Sequence, residues 1–126
     1  MPVTDFNHYN LRAPRDILHG LKDFYCNIVG LQDGPRVGLT SYGFWLYIGN
    51  KAVLHLSESQ HDVVPLTHVV TTFDHVSFTC TDDAAMEAHL NAHYVPYIVR
   101  MHPAMGVKQI NFKDPAGNGI ELNFTL

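Results

Sequence analysis

No stretch of this chain approaches the ~20 consecutive apolar residues that span a bilayer, so the sequence offers no transmembrane helix. Positive charge is scarce as well. Eight Lys and Arg stand against twelve Asp and Glu, a formal charge of −4. With no basic stripe to neutralise phosphates, the chain does not read as a nucleic-acid binder. Cysteine is limited to Cys26 and Cys80. They lie far apart in expected regular elements and form no Cys-x-x-Cys pair, which removes that redox or zinc motif and leaves two reduced core thiols as the reading. The first residues carry neither a basic n-region nor an apolar h-region. The expectation is a cytoplasmic protein without a signal peptide or a membrane partner. Apolar residues make up 46% and charged residues 16% of the chain, the balance of a globular domain large enough to bury one core.

Histidine is what the sequence has in quantity. Nine histidines make metal binding or proton transfer worth testing, although number alone locates nothing. Their placement depends on a repeat. Residues 6–12 read as a strand, and Pro14 suits the first turn of a helix that follows. Ile17, Leu18, Leu21, Phe24, Tyr25 and Ile28 recur at helical spacing, and Gly30 is the expected stop. Strands are expected over 31–37, 44–48 and 52–58, with Gly49-Asn50 as a tight turn. Residues 59–71 have no period and read as a connector.

The order then recurs: a strand over 73–79, a helix over 83–93 behind Thr81-Asp82-Asp83, and strands over 97–101, 108–112 and 119–125. His8 and His75 lie 67 residues apart, His55 and Glu121 66 apart, and the Gly-Asn turns 68 apart. Independent elements on one offset indicate a βαβββ unit written twice, an α+β protein of mixed sheets. The expectation is one domain over 1–126, with modules at about 4–58 and 72–126.

Strand alternation places the chemistry. Val76, Phe78 and Cys80 face one way and His75, Ser77 and Thr79 the other. Leu54 and Leu56 oppose His55, Ile120 and Leu122 oppose Glu121, and Tyr9 and Leu11 oppose His8. A sheet with one wet face would also put polar residues there, and a single histidine would carry little weight. Four metal-competent side chains at repeat-equivalent positions carry much more. Two imidazoles and a carboxylate leave positions open for substrate on Fe(II), Mn(II), Ni(II) or Zn(II), so one such divalent ion is the expected cofactor.

Four segments make the resemblance specific: Phe6-Asn7-His8-Tyr9-Asn10-Leu11, Phe24-Tyr25 with Gly30-Leu31, Phe73-Asp74-His75-Val76-Ser77-Phe78, and Asp114-Pro115-x-Gly117-Asn118-Gly119-Ile120-Glu121-Leu122. The chain resembles the vicinal oxygen chelate superfamily of glyoxalases, bleomycin- and fosfomycin-resistance proteins and extradiol dioxygenases. That resemblance implies a curved half-barrel of two modules, a homodimer, and a small oxygen-bearing substrate chelated by the metal. It maps the ligands to His8, His75 and Glu121, with His55 at the fourth-strand position.

Three reactions compete under the resemblance. A glyoxalase I-like isomerase (lactoylglutathione lyase-like) has a glutamate where this chain has His55. A fosfomycin-type transferase has basic residues after the glutamate, and none follow Glu121 here. An extradiol-type dioxygenase uses two histidines and a glutamate with an acid–base histidine nearby, for which His55 and His102 are the candidates. The dioxygenase is favoured because its triad is intact. The alternative of another class is a metal-free, ligand-sequestering resistance protein, against which the intact ligand set argues.

Overall fold

The computed structural model describes residues 2–126. The chain divides into two compact units, between Leu66 and Thr67, within the stretch expected as a connector. The first unit contains β1 (Tyr9–Ala13), α1 (Arg15–Phe24), β2 (Gln32–Gly34), β3 (Gly43–Ile48) and β4 (Lys51–Glu58). The second contains β5 (His75–Thr79), α2 (Asp83–Ala92), β6 (Ile98–His102), β7 (Val107–Lys113) and β8 (Gly119–Thr125). Each unit folds as βαβββ around a four-stranded mixed sheet, in the orders β1-β4-β3-β2 and β5-β8-β7-β6. The first and last strands of each unit pair in parallel, and the other pairs are antiparallel. No helix among the described residues is long and apolar enough to cross a membrane.

The first core forms where helical and strand periods agree. Pro14 opens α1 with φ −57, the angle its ring imposes. Leu18 and Leu21 are fully buried, and the chain continues through a π-turn at Tyr25–Val29 that buries Tyr25 and Ile28. The helical run stops at Gly30, whose φ of 102° is left-handed and open to glycine at little steric penalty. Leu54 and Leu56 from β4 and Leu46 from β3 meet this face with no exposed surface. Each such leucine stabilises the unit by about 1.5–3 kcal/mol relative to exposure.

The second core is thinner on its helix side. Leu90 is the one buried residue of α2, set against a sheet face that buries Ile110, Phe112, Ile120, Leu122 and Phe124. Polar ties supplement it. Lys108 Nζ donates to Asp83 Oδ2 (2.6 Å) and Glu87 Oε2 (2.7 Å), and Tyr97 donates to Glu87 Oε1 (3.1 Å). At the helix start Asp82 accepts from the Ala85 amide at 3.0 Å, the expected capping role.

The turn before β8 has a visible cause. The buried Asp114 carboxylate accepts from the amides of Ala116 and Asn118 (both 2.9 Å) and from Asn118 Nδ2 (3.0 Å). The Asp-Pro-x-Gly-Asn run therefore organises the loop that delivers Glu121 in register. At Gly119 an added Cβ would stand 2.2 Å from the Asp74 carbonyl, so the close approach of β8 to the residues carrying His75 requires glycine.

Several boundaries differ from expectation, three of them as follows. Pairing of the first strand begins at Tyr9, so His8 lies just ahead of β1 rather than inside it. The run expected over 31–37 shortens to β2, because Pro35 follows Gly34 and has no N–H for the ladder. His102, expected in a loop, is the last residue of β6, and the loop proper begins at the 3₁₀ turn Pro103–Met105.

Candidate metal centre

The expected ligands come together in pairs, one pair in each unit. His55 on β4 lies in the row of Asn10 and Trp45, and Glu121 on β8 lies in the equivalent row of Ser77 and Asn111. Each faces the histidine one step back on the neighbouring parallel strand. In the first unit the His8 and His55 rings stack, with centroids 3.7 Å apart and planes inclined by 11°. In the second, His75 Nε2 is 3.7 Å from Glu121 Oε1. Among the described residues no group of three or more His, Cys, Asp or Glu is poised as a metal site.

The two histidines share a feature that strand alternation did not anticipate. His8 Nδ1 lies 2.7 Å from Asn7 Oδ1, and His75 Nδ1 lies 2.8 Å from Asp74 Oδ2. An oxygen partner can only accept, so Nδ1 of each neutral ring carries the proton and Nε2 presents its lone pair. An oxygen on one imidazole nitrogen that aims the other is the usual support of a metal-ligating histidine. The signal was present in the sequence, because Asn7 and Asp74 stand on the same 67-residue offset as the histidines they hold. The His75 hydrogen bond, with Lys113 and Arg100 adding to it, holds the Asp74 carboxyl below its usual range.

Glu121 is fixed at one oxygen and open at the other. Its Oε2 accepts from Ser77 Oγ (3.0 Å) and Asn123 Nδ2 (2.9 Å), and Asn123 Nδ2 also meets Ser77 Oγ. Oε1 is left directed at His75. Two donors bound at ~2.0–2.2 Å to one ion stand no more than about 4.4 Å apart. The 3.7 Å between Nε2 and Oε1 lies within that limit.

His55 is placed differently. It lies between His8 and Trp45, whose ring is 4.3 Å away and inclined by 13°. An imidazole binds a metal along its lone pair, in the ring plane. Two parallel rings 3.7 Å apart do not share that plane, so stacked in this way His8 and His55 do not both direct lone pairs at one ion. Desolvation in the stack, followed by the charge of His8, lowers the His55 pKa from its ordinary 6.5 and favours the neutral ring.

His102 falls in the row of Val107 and Thr125, four residues along the sheet from the row that holds Glu121. At ~3.3 Å per residue that is roughly 13 Å, too far for direct proton exchange with a group held at Glu121.

A cavity of about 450 Å³ opens within the second unit beside this pair, with His75, Arg100, Asn111 and Lys113 as polar walls and Tyr97 and Ile98 as apolar ones. Among aromatic residues outside this cavity, Trp45 is taken up by the His55 stack and Tyr47 donates to the Pro35 carbonyl at 2.5 Å. Phe6 and Phe73 are exposed.

Neither a family model nor a curated protein sequence matches the chain. Solved structures do. A protein assigned to the glyoxalase family from Bacillus anthracis is 20% identical with a TM-score of 0.74, over 98% of this chain and 97% of that one. TnmS3, an antibiotic-binding protein from Streptomyces sp. CB03234, is 20% identical with a TM-score of 0.73, over 100% and 99%. The fosfomycin-resistance protein FosX from Listeria monocytogenes, complexed with Mn(II) and a dihydroxypropylphosphonic acid, is 16% identical with a TM-score of 0.73, over 98% and 94%. The chain has the vicinal oxygen chelate fold. Proteins of this fold include enzymes and binding proteins alike, so the architecture leaves the activity to the site.

Proposed function

We propose that the protein is a divalent-metal-dependent enzyme acting on a small oxygen-bearing substrate, its ion held by His8, His75 and Glu121. The observation that carries this reading is the paired support of the two histidines, Asn7 on His8 and Asp74 on His75, which leaves both Nε2 atoms free for a ligand. Glu121 completes the set with one oxygen anchored and one free. The set suits Fe(II), Mn(II), Ni(II) or Zn(II), and FosX, of the same fold, is seen with Mn(II). When bound, such an ion supplies Lewis acidity to the oxygens of the substrate.

Within this reading His55 is the proton acceptor rather than a fourth ligand. It is flush against His8, held by Trp45 and favoured in its neutral form, as removal of a substrate hydroxyl proton requires. His102 takes no part in that step because of its distance along β6. Extradiol-type dioxygenase chemistry is the leading reaction, since it asks for two histidines, one glutamate and a separate neutral base. Glyoxalase I-like isomerisation is second; its fourth-strand glutamate is replaced by His55. A homodimer belongs to the same proposal.

The test is metal analysis of protein purified without added ions, followed by assays with catechols in air and under anaerobic conditions and with methylglyoxal–thiol adducts. One ion per chain and oxygen-dependent consumption of a catechol are expected. His55→Ala should keep the ion and lose turnover. A chain that binds no ion, added or native, would sink the enzyme reading in favour of ligand sequestration of the kind TnmS3 represents.

A further inference from the structure

We propose that Arg100 and Lys113 form an anion subsite in the cavity beside His75, and that the substrate is a small molecule with an apolar body and a carboxylate. The inference rests on the metal-enzyme reading only in naming the ligand as its substrate; the subsite itself stands on the second unit alone.

Four observations support it. The first is the cavity, about 450 Å³, within the range that holds a small organic ligand. The second is the sheet beneath it. His75, Gly119 and Lys113 form one row across β5, β8 and β7. Gly119 lines the cavity without a side chain, and the place of its missing Cβ lies against the Asp74 carbonyl. Backbone therefore floors the cavity here, with a proposed metal ligand at one end of the row and a cation at the other.

The third is the state of the cations. The second unit has three, Arg100, Lys108 and Lys113. Lys108 is engaged with Asp83 and Glu87 on the helix side. Arg100 and Lys113 make no ion pair within 4 Å among the described residues, and both line the cavity. The nearby carboxylate of Asp74 is already hydrogen-bonded to His75. A guanidinium and an ammonium facing one concavity without a partner recognise an oxyanion, the guanidinium with two parallel donors.

The fourth is Asn111. Its Nδ2 is buried and has no hydrogen-bond partner, on a residue that lines the cavity and pairs across the ladder with Glu121. Buried amides are nearly always satisfied, so an open one in a cavity wall marks a place for a ligand oxygen. Tyr97 and Ile98 on the remaining wall suit an aromatic or alkyl body rather than a sugar.

The experiment is an NMR titration of the isotopically labelled full chain with benzoate and with benzamide, the neutral isostere. It is run on protein with measured zinc content and again after chelation. Benzoate should bind about tenfold or more tightly than benzamide, as expected for one charge-assisted pair, with shifts at the Gly119 and Asn111 amides. Arg100→Gln and Lys113→Gln should each reduce that preference, the double variant should erase it, and Arg100→Lys should keep part of it. Circular dichroism confirms that each variant is folded.

Equal binding of the two probes, no benzoate binding at millimolar concentration, or a preference untouched by the variants would each overturn the subsite. Displacement of benzoate by inorganic phosphate at far lower concentration would overturn the carboxylate assignment in favour of a phospho ligand. Zinc uptake without a benzoate preference would remove this inference and leave the metal reading standing. A preference in a chain that takes up no zinc would do the reverse.

Discussion

At the scale of single residues, the histidines matter less for their number than for what holds them. His75 and His8 carry the same device, an oxygen of the preceding residue on Nδ1. Its effect is to select a tautomer and restrict ring rotation before any ligand arrives. Asp74→Ala should therefore weaken zinc binding by about 10- to 100-fold without unfolding the protein, measured by calorimetric titration. Unchanged affinity would show that the Asp74 contact orients nothing. His75 and Glu121 were legible as ligand candidates because both sit on the polar phase of an alternating strand. The role of His55 was not legible, because a stack on His8 and Trp45 depends on three ring planes from different segments. The separation of His102 from Glu121 was hidden for a related reason. A separation of nineteen positions says nothing of the rows that pairing assigns to each end.

At the scale of elements, α1 and α2 solve the same packing problem unequally. α1 with its π-turn buries Leu18, Leu21, Tyr25 and Ile28, whereas α2 buries Leu90 alone. The weak apolar period of 83–93 already implied a thinner contact. What it did not reveal is the polar tie from β7. Hydrogen bonding to Lys108 is the largest cause that lowers the Asp83 and Glu87 carboxyls from their ordinary 3.8 and 4.5, and the same bonds raise Lys108 from 10.5. A lowered carboxyl contributes stability above its unfolded value and loses it as pH falls through the folded value. A raised lysine contributes below 10.5 and loses it as pH rises through its folded value. The tie is thus intact near neutrality and fails at both ends. In Lys108→Met the fall in stability below about pH 4.5 should be shallower than in the wild type, by urea unfolding across an acid series. An identical acid limb would mean that the tie contributes nothing to α2. The Asp114 turn shows the opposite degree of legibility. Its Asp-Pro-x-Gly-Asn pattern reads as a turn from residue types alone, and the structure adds the three donors that the carboxylate gathers.

At the scale of the whole molecule, the first unit carries one of the proposed ligands, His8, and the second carries two, His75 and Glu121. An ion that binds the native state and not the unfolded chain stabilises it by mass action. At a free concentration of a hundred times Kd the gain is about 2.7 kcal/mol, which for a chain of this size raises Tm by roughly 10 °C. Calorimetric melting with zinc and with a chelator should show that difference in the wild type and none in His75→Ala. The same Tm with and without metal in the wild type would contradict the ligand assignment at the level of the entire protein.

The sequence by itself determined the duplicated βαβββ order, the α+β class, the core face of each strand and the side chains available as ligands. Those follow from periodicity and a fixed offset, which are local properties of the chain. Only the tertiary structure decided where pairing starts and stops, that His55 stacks while Glu121 points at His75, and which cations lack a partner. Those depend on contacts between residues some 40 to 50 positions apart, such as Ser77 with Glu121 and His8 with His55. Their geometry is set by strand register and side-chain rotamer, and neither is encoded in the spacing of residue types.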